Sequence, residues 1–188
     1  MRVAIPSSVA IAAVVAGVLA APAPVAAQKA LPCQGGGVQP ETVAPEAFGD
    51  TVLCLLNRER AKRGEKPLRM DSRLGEAADG HSASMRSRSY FSHDDPSGEG
   101  FDDRIIATGY TQGARRWLIG ENIAWGSDEL GTPGALVNAW MHSPPHRANI
   151  LEAKYRQIGV GVVWGTPDDS GAPDAAIITT DFGFVKFK

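Results

Sequence analysis

Two predicted helices meet in residues 140–151, which read WMHSPPHRANIL. Ser143 is a favoured helix N-cap and Pro144 a favoured first helical residue, so a new helix is expected to begin there. The preceding helix therefore ends at the same place, with Trp140 on its apolar stripe. His146 falls in the first turn of the new helix, where its side chain points away from the helix start. The stretch therefore predicts that one helix ends and another begins at Ser143, with His146 in the first turn of the second helix.

The segments on either side show helical and strand patterns. Asp71 is a predicted N-cap, and apolar side chains recur after it at helical spacing. Near the C-terminus, two runs alternate apolar residues as paired strands do. The predicted helices are Pro45–Arg63, one after Asp71, Asp103–Thr108, one from Thr132 and one from Ser143; the predicted strands are Gly120–Gly126, Ile158–Gly165 and Ala175–Phe184. This order predicts an α+β fold in which helices cover an antiparallel sheet.

The N-terminal segment has the pattern of a secretory signal. Arg2 precedes an almost wholly apolar run, Val9–Ala21, and the small residues of Val25–Ala27 fit a signal peptidase site. Because the apolar run is short for a bilayer span, we predict a signal peptide over residues 1–27, cleaved before Gln28. The alternative is an uncleaved N-terminal anchor.

The composition of the mature chain excludes several partners. Its 161 residues carry 18 basic and 21 acidic side chains, a formal net charge of −3, and suit one domain with its own core. Nucleic acid and anionic membrane surfaces would need a basic stripe, which the sequence lacks. No transmembrane segment is expected after removal of the signal, and we expect a monomer.

The two cysteines, Cys33 and Cys54, are predicted to form a disulfide, because an exported chain with an even number of cysteines favours one. The alternative is a reactive thiolate. Cys54 lies in an apolar helical stretch, where a thiolate is disfavoured.

Four separated motifs together resemble the bacterial branch of the CAP family, which includes the cysteine-rich secretory proteins, antigen 5 and the pathogenesis-related proteins. They are Leu56–Arg60, Phe91–His93, Gly120–Ala124 and residues 140–151. The resemblance implies an α-β-α sandwich with a three-stranded antiparallel sheet between helical layers. It assigns this domain to residues 50–184. An extended segment, residues 28–49, precedes the domain and is expected to be attached to it by the disulfide of Cys33.

The resemblance also implies a cleft in which two histidines and two acidic residues gather. His93, Glu121 and His146 match three of these positions. The fourth falls on Ser143, so no second acid is evident. Two imidazoles and a carboxylate suit an open site for Zn²⁺ or another divalent cation, with His93, His146 and Glu121 as ligands. The alternative is a polar network that pins the strand to the helices.

Further polar residues have predicted structural roles. Asn122 and Asn149 are expected to bond to the backbone. Arg60 and Arg104 are expected to pair with buried carboxylates. His142 is a candidate cleft residue and additional ligand, although a cap on the end of its helix is favoured. His81 lies on an apolar helical stripe and is predicted to be a packed core histidine.

Two classes of function are consistent with the sequence. The first is an extracellular binding or interaction module, secreted or held in the periplasm or cell envelope, whose ligand is a lipid or sterol, a cell-wall component or a protein. The second is a metal-dependent hydrolase or peptidase with Glu121 as base. The G-x-S-x-G and H-E-x-x-H motifs are absent from the sequence, and binding is therefore favoured.

Overall fold

The sheet at the centre of the fold is made of β1 (Arg69–Met70), β2 (Arg116–Ser127), β3 (Gln157–Trp164) and β4 (Ala175–Lys186). This computed structural model describes residues 33–168 and 170–188. The strand order is β1-β3-β4-β2, with β3, β4 and β2 antiparallel as predicted. β1 adds a fourth strand, parallel to the start of β3. The sequence analysis missed it because two residues are too few to show a strand period.

In the part of the chain that the structure describes, five α-helices pack against the sheet, and most begin where the sequence predicts. Asp71 caps α2 by accepting from the Arg73 amide at 3.0 Å, and Thr132 caps α4 by accepting from the Ala135 amide at 3.3 Å. The helices are α1 (Pro45–Ala61), α2 (Ser72–Ser87), α3 (Phe101–Ala107), α4 (Pro133–His142) and α5 (Pro144–Leu151), and a 3₁₀ turn spans Asp128–Gly131.

The two faces of the sheet are packed differently. α1, α4 and α5 cover one face, over a large core that includes Phe48, Trp140 and Phe182. α2 and α3 cover the other face. On that side Gly159 and Gly161 let α2 lie directly against β3, because a Cβ at either position would collide with the α2 backbone. The helix–sheet–helix layering agrees with the predicted sandwich.

Arg60 joins α1 to the end of α5. Its side chain is fully buried, and the prediction that it pairs with a carboxylate is wrong. The last carbonyls of a helix have no partner within the helix, and the guanidinium supplies donors to this region. Its N–H groups donate to the carbonyls of Lys66 at 2.8 Å, Ile150 at 2.7 Å, Glu152 at 3.0 Å and Tyr155 at 3.3 Å.

The predicted disulfide between Cys33 and Cys54 is present and fastens the segment before α1 to that helix. The predicted signal peptide, residues 1–27, lies outside the described residues. Within the described ranges, no helix combines the length and apolar character that a membrane span requires.

Replacing both Cys33 and Cys54 with Ser is expected to lower the free energy of unfolding by about 3 kcal/mol, because the disulfide closes a loop of roughly 20 residues in the unfolded chain. Urea unfolding of the double variant and of the unchanged protein, each with and without reductant, measures this difference. Equal urea midpoints for the variant and the unchanged protein, both without reductant, would contradict a stabilising role of the disulfide.

Candidate functional site

Glu121 is the centre of the candidate site. It lies on β2, and its side chain is 1% exposed. Both carboxylate oxygens are in use: His93 Nδ1 lies 2.7 Å from Oε1, and an Arg104 guanidinium nitrogen lies 2.8 Å from Oε2. His81 Nε2 approaches Oε2 to 4.0 Å. A buried carboxylate is tolerated only when it is paired in this way.

Arg104 fixes the loop that carries His93. Besides Glu121, its guanidinium donates to the carbonyls of His93 at 2.9 Å and Glu99 at 3.1 Å. The predicted pairing of Arg104 with a buried carboxylate is therefore confirmed. Arg104, on α3, thus connects the loop that carries His93 with β2, which it contacts through the Glu121 side chain.

The contact with Glu121 sets the tautomer of His93. Because a carboxylate oxygen only accepts, His93 Nδ1 must carry a hydrogen and donate it. In the neutral ring Nε2 then has a free lone pair. The His93 side chain is 48% exposed, and no described residue bonds to its Nε2. This nitrogen is available to a ligand or a metal ion.

His146 is held in a similar way by its neighbour in the helix start. Its Nδ1 lies 2.8 Å from the Ser143 hydroxyl. Ser143 is the N-cap residue of α5 as predicted, but its side chain bonds to this ring and makes no cap hydrogen bond. Burial, and then the nearby His93, lower the pKa of His146. The ring therefore favours the neutral form.

Polar side chains hold α5 and α4 against β2, an edge strand of the sheet. Asn149 Nδ2 donates to the Glu121 carbonyl at 3.0 Å, and Asn122 Nδ2 donates to the His146 carbonyl at 3.1 Å. Trp140 Nε1 donates to the Ile123 carbonyl at 3.0 Å. The expected backbone bonds of both asparagines are confirmed. His93, from the α2–α3 loop, and His146, from α5, thus approach the same edge strand from opposite faces of the sheet.

His142 lies elsewhere. Its Nδ1 bonds to the carbonyl of Asn138 at 2.8 Å, within the last turn of α4. The ring borders a groove between α1 and α4 together with Arg58 and Arg147. This contact agrees with the favoured helix-end role, and no described contact joins His142 to Glu121, His93 or His146.

Asp181 is an acidic residue of this site that the sequence analysis did not single out. It lies directly opposite Glu121 on β4 and is fully buried. Neither carboxyl oxygen has a donor among the described residues. Burial, and then the Glu121 charge, raise the pKa of Asp181 well above its usual value. A proton on Asp181 would give it a hydrogen bond to Glu121. The strand register that places Asp181 opposite Glu121 would have identified this residue, but a single sequence does not supply that register.

His81 also belongs to this network, although the sequence predicted only a packed histidine. It is fully buried, and its Nε2 lies 2.9 Å from the Ser92 carbonyl, so Nε2 carries the hydrogen. Burial lowers the pKa of His81 and favours the neutral ring. The histidine therefore holds the loop at the residue next to His93.

Asp181→Asn is expected to raise the free energy of unfolding at pH 8 by at least about 1.4 kcal/mol, the free energy that corresponds to one pKa unit of difference between the folded and unfolded states. The folded protein binds this proton more tightly than the unfolded chain, so stability falls as pH rises above the ordinary Asp pKa near 4. An amide removes that loss and still donates to Glu121. The gain is therefore expected at pH 8 and nearly absent at pH 4.

Urea unfolding at both pH values measures this difference, with Glu129→Gln as a control for an exposed acid. A loss of stability in Asp181→Asn at both pH values would mean that Asp181 is ionised and accepts hydrogen bonds.

The donor set fits a metal ion only in part. Within the described residues, no group of three or more His, Cys, Asp or Glu side chains is placed to share one ion. Because both Glu121 oxygens are bonded and buried, this residue suits the outer position from which a carboxylate orients a histidine ligand. His93 Nε2 and His146 Nε2 remain as the nitrogens that would bind Zn²⁺.

Comparisons with known proteins agree with this fold. The sequence profile of the cysteine-rich secretory protein family, CAP, matches residues 53–180. The chain is 38% identical over 117 residues to the uncharacterized protein YkwD of Bacillus subtilis (strain 168), an alignment that covers 62% of this chain and 43% of that protein. The chain therefore spans less than half the length of this relative.

Two solved structures are similar. An extracellular protein containing an SCP domain, from Bacillus anthracis str. Ames, is 26% identical with a TM-score of 0.58, over 77% of this chain and 44% of that one. An outer surface protein from Borrelia burgdorferi is 20% identical with a TM-score of 0.61, over 78% of this chain and 97% of that one. The second likeness concerns the fold alone.

Proposed function

Because this chain belongs to the cysteine-rich secretory protein (CAP) family, we propose that it is an extracellular binding module whose ligand site is the cleft between His93 and His146. An extracellular location is supported by the predicted signal and by the similar SCP-domain protein from Bacillus anthracis, which is described as extracellular. The activity of longer relatives is not transferred, since this chain covers only part of them.

The observation that carries the proposal is the way both imidazoles are fixed. His93 is held by Glu121 and His146 by Ser143, in each case through Nδ1. The two rings are thus fixed in orientation before any ligand binds, and a preorganised site loses less conformational entropy when its ligand binds. The buried Glu121 carboxylate thereby fixes the orientation of the His93 ring.

The chemistry of the cleft favours a polar ligand. Its candidate groups are two imidazoles and a hydroxyl, which bind through hydrogen bonds or through a shared metal ion. Of the ligand classes that the sequence leaves open, a cell-wall component or a protein supplies such groups more fully than a lipid or sterol does. His93 and His146 would hold Zn²⁺, with Glu121 orienting His93, and the ion would supply a Lewis acid for a ligand oxygen.

The hydrolase alternative has weaker support. Its base would be Glu121, but both oxygens of this carboxylate accept hydrogen bonds, and its side chain is buried. A general base must reach the proton that it removes. Glu121 meets this requirement only if His93 or Arg104 moves away. Binding therefore remains the favoured function.

His93→Ala and His146→Ala are each expected to abolish Zn²⁺ binding, because each removes one of only two nitrogen ligands. Glu121→Gln is expected to weaken it by about 10- to 100-fold, the usual effect of losing an outer carboxylate. The matched control is His142→Ala, which removes an exposed histidine of α4 outside the cleft.

Isothermal titration with Zn²⁺, on protein purified without a metal-affinity tag, measures these affinities. Loss of Zn²⁺ binding in His142→Ala but not in His93→Ala would contradict the proposed ligand pair. If the unchanged protein binds no Zn²⁺, the cleft binds its ligand through hydrogen bonds alone. Chelator-sensitive hydrolysis of a peptide or wall-polymer library would instead favour the hydrolase.

A further inference from the structure

The outer edge of β3 has no paired strand beyond Ile158 among the described residues, and it lies in a groove between α1 and α2. The groove has a volume of about 1040 Å³. β1 pairs only with Gln157 and Ile158, so the edge from Gly159 to Trp164 has no partner strand among the described residues. This groove is at the opposite side of the sheet from β2 and the His93–His146 cleft.

Backbone groups of β3 face this groove. The Ile158 carbonyl accepts from the Asp71 amide at 2.9 Å, so Ile158 directs its backbone away from β4. Alternate residues of a strand share this direction, which assigns Val160, Val162 and Trp164 to the same edge. Val160 and Val162 also line the groove. No described hydrogen bond outside the sheet reaches their carbonyls, although backbone groups of this kind require a partner.

Both walls of the groove are acidic. Glu46 and Asp50 come from α1, and Glu76 and Asp79 come from α2, while no described Lys, Arg or His lines it. None of these four has an ion pair among the described residues, whereas Asp71 in the same groove is paired with Arg73. Burial, and then the Glu46 charge, raise the pKa of Asp79, while a hydrogen bond from the Val162 backbone lowers it. Asp79 therefore already bonds to the Val162 amide, and an added strand would have to replace that bond.

The two glycines in the walls of the groove differ in the space around them. Gly49 of α1 and Gly75 of α2 line the groove. A Cβ on Gly75 would have no heavy atom within 4 Å, and one on Gly49 would contact Val160. The α2 wall is therefore open at the outer side of Gly75, whereas α1 lies against Val160 at Gly49.

We propose that the α1–α2 groove binds an extended, basic peptide segment of a partner protein, which joins the sheet as a strand along the outer edge of β3. Main-chain hydrogen bonds to an open sheet edge give such peptides their affinity, and side-chain contacts give specificity. Successive side chains of the added strand point in opposite directions, towards α1 and towards α2. Since both walls carry carboxylates without ion pairs, Lys or Arg is favoured on either side.

The open edge distinguishes this occupant from an apolar one. A hydrocarbon chain would leave the carbonyls of Val160 and Val162 without hydrogen bonds and the four carboxylates without counter-charges. A peptide strand with basic side chains satisfies both sets of groups. The inference is independent of the proposed cleft function, because it uses the other edge of the sheet.

The test uses a blocked peptide of sequence Thr-Val-Lys-Lys-Lys-Val-Thr, titrated into ¹⁵N-labelled protein. Saturable binding is expected, with the largest amide shifts at Val160, Val162 and Trp164. A peptide with Glu in place of Lys should not bind. Two further peptides carry N-methyl groups on the odd-numbered or on the even-numbered amides. Only one of these two should lose binding, because only alternate amides of an added strand face the edge.

Substitutions in α1 and α2 test whether the acidic residues and the open space of the groove contribute to peptide binding. Glu46→Gln with Asp79→Asn is expected to weaken peptide binding about tenfold, the combined effect of two partly screened ion pairs. The matched control is Glu129→Gln with Asp102→Asn, which removes two acids that do not line the groove. Gly75→Leu should block the groove, whereas Gly80→Leu, on the same helix and equally free of contacts, should leave binding unchanged.

Several results would overturn the proposal. One is the absence of saturable binding at millimolar peptide, and another is equal binding of the Lys and Glu peptides. Retention of full affinity by both N-methylated peptides would exclude strand addition. Binding of a neutral alkyl detergent in the groove, without binding of the Lys peptide, would identify an apolar-ligand site instead. Thermal unfolding of each variant verifies that the fold is intact.

Discussion

The buried carboxylate of Glu121 imposes the main constraint on this fold. A charge enclosed between a sheet and its covering helices is stable only when several donors surround it. Arg104 comes from α3, His93 from the loop before it and His81 from α2, and Asp181 lies opposite on β4. The contacts that stabilise this one carboxylate therefore fix the relative positions of α2, α3, the loop between them, β2 and β4.

The same constraint orients the exposed histidine of the candidate site. A loop containing several polar residues would have many conformations if it were attached only at its ends. Here the carbonyls of Ser92 and His93 are held by His81 and Arg104, and the His93 ring is held by Glu121. The side chain that faces solvent is thus attached to a rigid base. This arrangement is typical of a site in which buried groups orient exposed ones.

The two outer regions of the sheet satisfy their backbone groups differently. Along β2, side chains of α4 and α5 donate to the carbonyls of Ile123 and Glu121. Along β3, a two-residue strand covers only the start, and the remaining edge lies in an acidic groove. An open strand edge is a risk for unspecific pairing, and like charges next to it are one means by which proteins limit such pairing. The same charges would select a basic partner.

Local patterns in the sequence were sufficient for most of the helices and strands and for the helix break at Ser143, because caps, prolines and apolar periods act over a few residues. The disulfide followed from the predicted export and the even number of cysteines. They also placed His93, Glu121 and His146 in family motifs. Asp181 and Arg60 could not be interpreted in this way, since the role of each depends on groups that are distant in sequence. Strand register brings Asp181 to Glu121, and the end of α5 brings carbonyls to Arg60. The tertiary structure alone decided that Glu121 is enclosed by donors and that His142 has no described contact with Glu121, His93 or His146. It also decided that, among the described residues, β3 has no partner strand on its outer side beyond Ile158, because burial and pairing are set by packing between elements.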